Sequence, residues 1–143
     1  MDDRKIKLLI VDDESGIRDT YREFFEKRGF EVEVAPDGAA GLGKLRDEAF
    51  DVAIVDIRMP KMSGVELARR VAQEGIDTSL IFLTGQGDKE DAVQAINLGV
   101  VEGWFEKAKV DDTELLQKVN ELAQVIPLDE VRRILSAIPN EER

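Results

Sequence analysis

Three short apolar runs in this chain carry no polar alternation: Lys7 to Val11 (Lys-Leu-Leu-Ile-Val), Asp51 to Val55 (Asp-Val-Ala-Ile-Val) and Ser79 to Leu83 (Ser-Leu-Ile-Phe-Leu). Such runs fit strands covered on both faces, as in a parallel sheet between helices. Between them, apolar residues recur at helical spacing. Ile17, Tyr21, Phe24 and Phe25 mark a first helix, with Ser15 as its expected cap and Gly29 as its stop. Glu31 to Val34 predicts a second strand. Ala39, Leu42 and Leu45 predict a second helix, although Gly38, Gly41 and Gly43 each cost roughly 1 kcal/mol there relative to Ala. Val65, Ala68 and Val71 mark a third helix, and Ala92, Val93 and Ile96 a fourth that ends at Gly99. Glu102 to Glu106 predicts the last strand. Asp111 or Asp112 caps a fifth helix with the stripe Leu115, Val119, Leu122 and Ile126.

Strand starts near residues 7, 31, 51, 79 and 102 give five strand–helix units. That rhythm predicts an α/β fold: a five-stranded parallel sheet with right-handed crossovers and helices on both faces. Ligands of such sheets bind beyond the carboxyl ends of the strands. Four clusters of chemically useful residues fall at that end: Asp12 and Asp13 after the first strand, Asp56 after the third, Thr84 after the fourth and Lys107 after the fifth.

The length of 143 residues suits one domain, expected over residues 1–126. Residues 127–143 are expected to be a short C-terminal helical extension in which Leu128, Val131, Leu135 and Ile138 share a face and Pro139 ends the segment. Two readings of this tail stand: a helix that packs on the domain or a partner chain, and the stub of a linker to an effector domain. No apolar run reaches the roughly 20 residues needed to span a bilayer, and the charged opening lacks a signal peptide's apolar stretch, so the expectation is a cytoplasmic protein with no membrane contact.

There is no cysteine and no histidine, which removes thiolate and imidazole ligands. A metal would be held by oxygen alone, which favours magnesium, with manganese or calcium also suited, over zinc or copper. Without histidine the chain cannot carry a phosphohistidine; in a histidine-based relay it could only receive the group. The net charge of −11 argues against nucleic-acid binding through this chain.

Several carboxylates at one sheet edge repel one another, and a hard cation relieves that repulsion. Asp13 and Asp56 suit direct ligation, and Asp12 ligation through water; taken alone, Asp12-Asp13 reads more readily as a pair that caps the next helix. Asp56 ends the most apolar strand and is the candidate nucleophile, since a carboxylate that attacks a phosphoryl group forms an acyl phosphate. Pro60 and Gly64 shape a turn able to bring the backbone carbonyl of Arg58 to the metal. Thr84 offers a hydroxyl beside Gly85, and Lys107 a positive charge for the transferring oxygens.

The segments Leu8-Leu-Ile-Val-Asp12-Asp13-Glu14, Val55-Asp56-Ile57-Arg58-Met59-Pro60-Lys61-Met62-Ser63-Gly64, Phe82-Leu83-Thr84-Gly85 and Gly99 to Lys107 together resemble the receiver domain of bacterial two-component response regulators. The resemblance covers roughly residues 5 to 126. It implies a flavodoxin-like sheet of order 2-1-3-4-5, Mg2+ bound through Asp13 and Asp56, and phosphorylation of Asp56 by a histidine kinase or phosphotransfer protein. It also implies that Thr84 and Lys107 move to engage the phosphorylated aspartate, with Trp104 as the aromatic switch residue. The face made by the fourth helix, fifth strand and fifth helix is then the output surface. It would act on a partner protein, on an effector domain outside this sequence, or on a second copy; the tail is an alternative route to a homodimer. One departure stands out: Ala108 replaces the family's proline after the lysine, which predicts a trans peptide there and raises the alternatives of a displaced Lys107 or recruitment of Lys109. Arg58 and Gln86 fall at positions that tune dephosphorylation in the family.

Three rival readings stand beside this one. A haloacid-dehalogenase-like phosphatase needs an acid two residues after its nucleophile, where this chain has Arg58. A degenerate receiver, acting as a phosphorylation-independent interaction module, would not need all five acceptor-site residues. A nucleotide or flavin site is disfavoured because Asp12 to Gly16 has no glycine run to cradle phosphate.

Overall fold

The computed structural model describes residues 5–85, 87–123, 132, 133 and 135–137. Along the chain these form β1 (Lys7–Val11), α1 (Ser15–Glu26), β2 (Glu31–Ala35), α2 (Gly38–Asp47), β3 (Val52–Asp56), α3 (Gly64–Glu74), β4 (Ser79–Thr84), α4 (Lys89–Ile96), β5 (Val101–Glu106) and α5 (Asp112–Ala123). The sheet is parallel throughout, in the order β2-β1-β3-β4-β5.

Because successive strand residues face opposite sides, the apolar runs feed two cores. Leu9, Val11, Ala53, Val55, Leu80 and Phe82 pack on one face with Leu42 and Leu45 of α2, Leu67, Ala68 and Val71 of α3, and Ala92 and Ala95 of α4. Leu8, Ile10, Val52, Ile54, Ile81 and Leu83 pack on the other with Phe25 of α1 and Leu115, Val119 and Ala123 of α5. Phe25 also meets Phe24 and Phe30 edge-on, which closes the α1–β2 corner beside the left-handed Gly29.

Several local expectations need correction. Ser15 does not cap α1: it is the first helical residue, the cap position is Glu14, and the Glu14 amide donates to Asp12 Oδ1 at 2.9 Å. The third strand lies one residue later than expected, so Asp56 is inside it, while Asp51 turns back to accept the Lys7 amide at 2.8 Å. Ala39 of α2 is exposed; Gly38 and Gly41 occupy the buried face instead. They do so because the helix runs too close to its neighbours for a Cβ. At Gly38 one would meet the Met62 carbonyl, and at Gly41 it would lie 2.9 Å from Val11 Cγ2. Asp37 caps this helix by accepting the Ala40 amide at 2.8 Å. In α4 only Ala92 and Ala95 are buried, whereas Val93 is 51% and Ile96 40% exposed. The cap expected for α5 is found at Asp111, whose Oδ1 accepts the Thr113 amide at 2.8 Å. Ile126 and the stripe residues Leu128, Val131 and Ile138 lie outside the described residues; Leu135 is exposed.

Gly43 has no such neighbour, since a Cβ there would meet nothing within 4 Å. Gly43→Ala is therefore expected to stabilise the fold by about 0.5–1 kcal/mol. Gly41→Ala should destabilise it. Urea midpoints of the two variants test the contrast; a loss of stability in Gly43→Ala would contradict it.

Candidate functional site

The carboxyl ends of β1, β3, β4 and β5 meet at one edge. Backbone hydrogen bonds continue beyond the strand ends and fix the loops there: Ile57 N–H to the Leu83 carbonyl at 3.3 Å, Lys107 N–H to the Thr84 carbonyl at 2.8 Å and Asp12 N–H to the Ala35 carbonyl at 3.1 Å. Arg18 Nη1 holds the Asp12 carbonyl from α1 at 2.7 Å. The side chains separated in sequence are thereby brought together. One carboxylate oxygen from each of Asp12, Asp13 and Asp56 lies within 4.8 Å of the others, with Asp12 and Asp56 buried and Asp13 exposed.

Lys107 Nζ sits between the two buried acids, 3.1 Å from Asp12 Oδ2 and 3.2 Å from Asp56 Oδ2, with Glu14 Oε1 at 3.5 Å. The Lys107–Ala108 peptide is trans, and Lys107 is not displaced from the site; Lys109 pairs instead with Glu106 at 3.4 Å. Burial, and then the neighbouring Asp12 charge, push Asp56 up to about 6 against the pull of Lys107. Burial also raises Asp12, although the Glu14 amide and Lys107 favour its charged form. Burial disfavours the Lys107 ammonium, but the Asp12 carboxylate beside it, followed by Asp56, outweighs that and holds the group at about 12. The cluster thus has more buried negative charge than one ammonium satisfies.

Its donors suit a hard cation. All three are carboxylate oxygens, and Asp12 Oδ2 is buried with Lys107 beside it but no aligned hydrogen bond. The turn after β3 is shaped closely around Asp56. Gly64 N–H donates to the Ile57 carbonyl at 2.8 Å, and a Cβ on Gly64 would strike the Asp56 carbonyl. Lys61 takes φ of 68° within this turn, and Ser63 caps α3 by accepting the Glu66 amide at 3.1 Å. The same strand end therefore carries the acid and begins the loop that would present the Arg58 carbonyl.

Thr84 is buried, and its hydroxyl donates to the Phe105 carbonyl at 3.3 Å. Trp104 is half-buried against the α4-side core. Thr84, Gly85, Trp104 and Lys107 line a common cavity of about 580 Å3. The Arg58 side chain is exposed and ion-paired with Asp88, a buried acid at the start of α4 that sequence reading did not single out. An acid before a helical run looks like an ordinary cap, and its partner lies on another loop. Glu14, read only as part of the motif, also contributes charge to Lys107.

The model of the response regulator receiver domain matches residues 8–120. The chain belongs to that family. The receiver is 34% identical over 94 residues to the transcriptional regulatory protein DltR of Streptococcus agalactiae, covering 66% of this chain and 42% of that protein. The chain thus spans less than half the length of this curated relative. Among solved structures, a CheY-like receiver domain protein from Methanospirillum hungatei is 32% identical with a TM-score of 0.76, over 82% of this chain and 93% of that one. TrrA from Thermotoga maritima, solved in complex with Mg2+–BeF, is 29% identical with a TM-score of 0.72, over 82% and 98% of the two chains. The flavodoxin-like strand order implied by the resemblance is the order observed in this receiver. Its family places it among signalling phosphoacceptors, and no described helix is long and apolar enough to cross a membrane.

Proposed function

We propose that this receiver accepts a phosphoryl group on Asp56 from a histidine kinase or phosphotransfer protein, in a reaction that depends on Mg2+ or Mn2+. The observation that carries the proposal is the meeting of Asp12, Asp13 and Asp56 within 4.8 Å, with Lys107 3.2 Å from Asp56. That the similar TrrA was solved in complex with Mg2+–BeF supports a divalent cation in this reading. Asp13, Asp56 and the Arg58 carbonyl would hold the cation directly, and Asp12 through water. The cation supplies charge compensation for the phosphoryl oxygens.

An Asp56 carboxylate oxygen attacks the phosphorus, the phosphorus–nitrogen bond to the donor imidazole breaks, and the imidazole departs neutral after it takes up a proton. Lys107 stabilises charge on the transferring oxygens, and the Thr84 hydroxyl leaves the Phe105 carbonyl to donate to one of them. Movement of Thr84 opens space in the shared cavity that Trp104 follows, which changes the α4–β5–α5 face. Exposed Val93 and Ile96 make that face suited to a partner protein, an effector domain or a second copy of the chain. The net charge of −11 supports an output that does not run through direct nucleic-acid contact by this chain, and a cytoplasmic setting fits the kinase partner. Residues 1–126 form the receiver in this reading, and 127–143 a tail that packs or links.

Incubation with acetyl phosphate and Mg2+, read by intact mass, is expected to add one phosphoryl group to the wild type and none after EDTA treatment. An adduct that forms equally in Asp56→Asn would move the acceptor elsewhere. No adduct on the wild type even with Mg2+ present would favour the phosphorylation-independent module.

A further inference from the structure

Asp88 stands at the N-cap of α4 and is only 2% exposed despite its carboxylate. Its Oδ2 accepts the Gly85 amide at 2.7 Å. Its Oδ1 is enclosed, receives no aligned hydrogen bond, and is ion-paired with Arg58 Nε. The Arg58 side chain is 67% exposed, and its Nη2 donates to the Gly87 carbonyl at 3.4 Å. A buried acid is thus neutralised by a cation that solvent already reaches, on the residue two positions after Asp56. Gly87 lines the same cavity as Thr84 and Lys107, which puts the pair at the rim of the acceptor pocket.

We propose that Arg58 and Asp88 form a charge clasp that holds the N-terminus of α4 and opens when Asp56 is phosphorylated, the Arg58 guanidinium passing from the Asp88 carboxylate to the phosphoryl oxygens. This rests on Asp56 being the acceptor. A phosphoryl group carries about −1.5 to −2 charge and three strong acceptor oxygens, more than a single carboxylate offers a guanidinium fork. Asp88 is then left as a buried charge without its partner, a state relieved when water reaches it. Helix α4 is the element that yields. It has 8 residues and buries only Ala92 and Ala95, so little packing resists movement of its first turn. The clasp thereby connects the acceptor to α4 by a route separate from Thr84 and Trp104.

The test uses the full chain with beryllofluoride and Mg2+ as the phosphoryl mimic, occupancy being read by fluorine NMR and α4 opening by amide hydrogen exchange. At saturation the wild-type amides of Lys89–Ile96 are expected to exchange about fivefold faster. Asp88→Asn keeps an oxygen for the Gly85 amide but loses the charge. It is expected to bind the mimic about fivefold more tightly, a gain limited by the solvent around Arg58. That gain should vanish when Asp88→Asn is made in an Arg58→Gln background. Unchanged or weaker binding in Asp88→Asn, an equal gain in the Arg58→Gln background, or α4 exchange that ignores occupancy overturns the clasp. No Asp56-dependent fluorine signal in the wild type would instead remove the acceptor reading, and the clasp with it.

Discussion

Asp56→Asn is expected to make the metal-free protein more stable at neutral pH, by an amount on the order of 2 kcal/mol, while abolishing phosphoryl uptake. The two effects share one cause. Burial and the Asp12 charge lift Asp56 from 3.8 to about 6, so the ionised form the chemistry needs is disfavoured by the folded state. For a carboxyl raised in this way, the contribution to stability is fully present below the unfolded value of 3.8. It is lost as pH rises through about 6. Stability of the metal-free wild type should therefore fall across roughly pH 4 to 6 by more than that of Asp56→Asn. Urea unfolding at a series of pH values in EDTA measures this; parallel curves for the two proteins would show that Asp56 carries no such strain. Added Mg2+ should stabilise the wild type and leave the variant nearly unchanged.

Lys107→Met is expected to move two properties in opposite directions. The ammonium lies 3.1 Å from Asp12 and 3.2 Å from Asp56, where it occupies part of the negative field a dication would use. Its removal should tighten Mg2+ binding, by about tenfold, because the cation no longer competes with a fixed charge. Phosphorylation by acetyl phosphate should nonetheless slow by about 10²–10³-fold, since a preorganised positive group no longer faces the transferring oxygens. Metal affinity can be followed by Trp104 fluorescence and phosphorylation by intact mass on the same samples. A variant that loses metal affinity and rate together would make Lys107 a scaffold of the site and not a group acting on the phosphoryl oxygens.

Asp12, Asp56 and Thr84 were legible because each follows an apolar run whose lack of alternation is itself the mark of a buried parallel strand, whereas Lys107 follows the mixed segment Glu102 to Glu106 and was placed by the strand–helix rhythm. Asp12, Asp56, Thr84 and Lys107 needed only the rule that such strands end on one edge. Strand order was not contained in periodicity, and came from the resemblance. What sequence pattern missed depends on contacts between distant segments. Gly38 and Gly41 look like helix breakers until the approach of Met62 and Val11 is seen. Val93 and Ile96 have helical spacing with Ala92, yet the helix turns its small residues inward and leaves these two in solvent. Ser15 has the chemistry of a cap, but the Arg18 amide donates to the Glu14 carbonyl, which puts Ser15 inside the first turn of the helix. The Arg58–Asp88 pair joins two loops that no local motif connects.

The most direct measurement is chemical location of the phosphoryl group. After reaction with acetyl phosphate and Mg2+, borohydride reduction converts an acyl phosphate to the corresponding alcohol, which peptide mass spectrometry assigns to one residue. The expected result is reduction at Asp56 alone, absent without the divalent cation and absent in Asp56→Asn. Reduction at Asp12 or Asp13, or at no aspartate despite incorporation of phosphate, would contradict the role given to the buried acid at the end of β3.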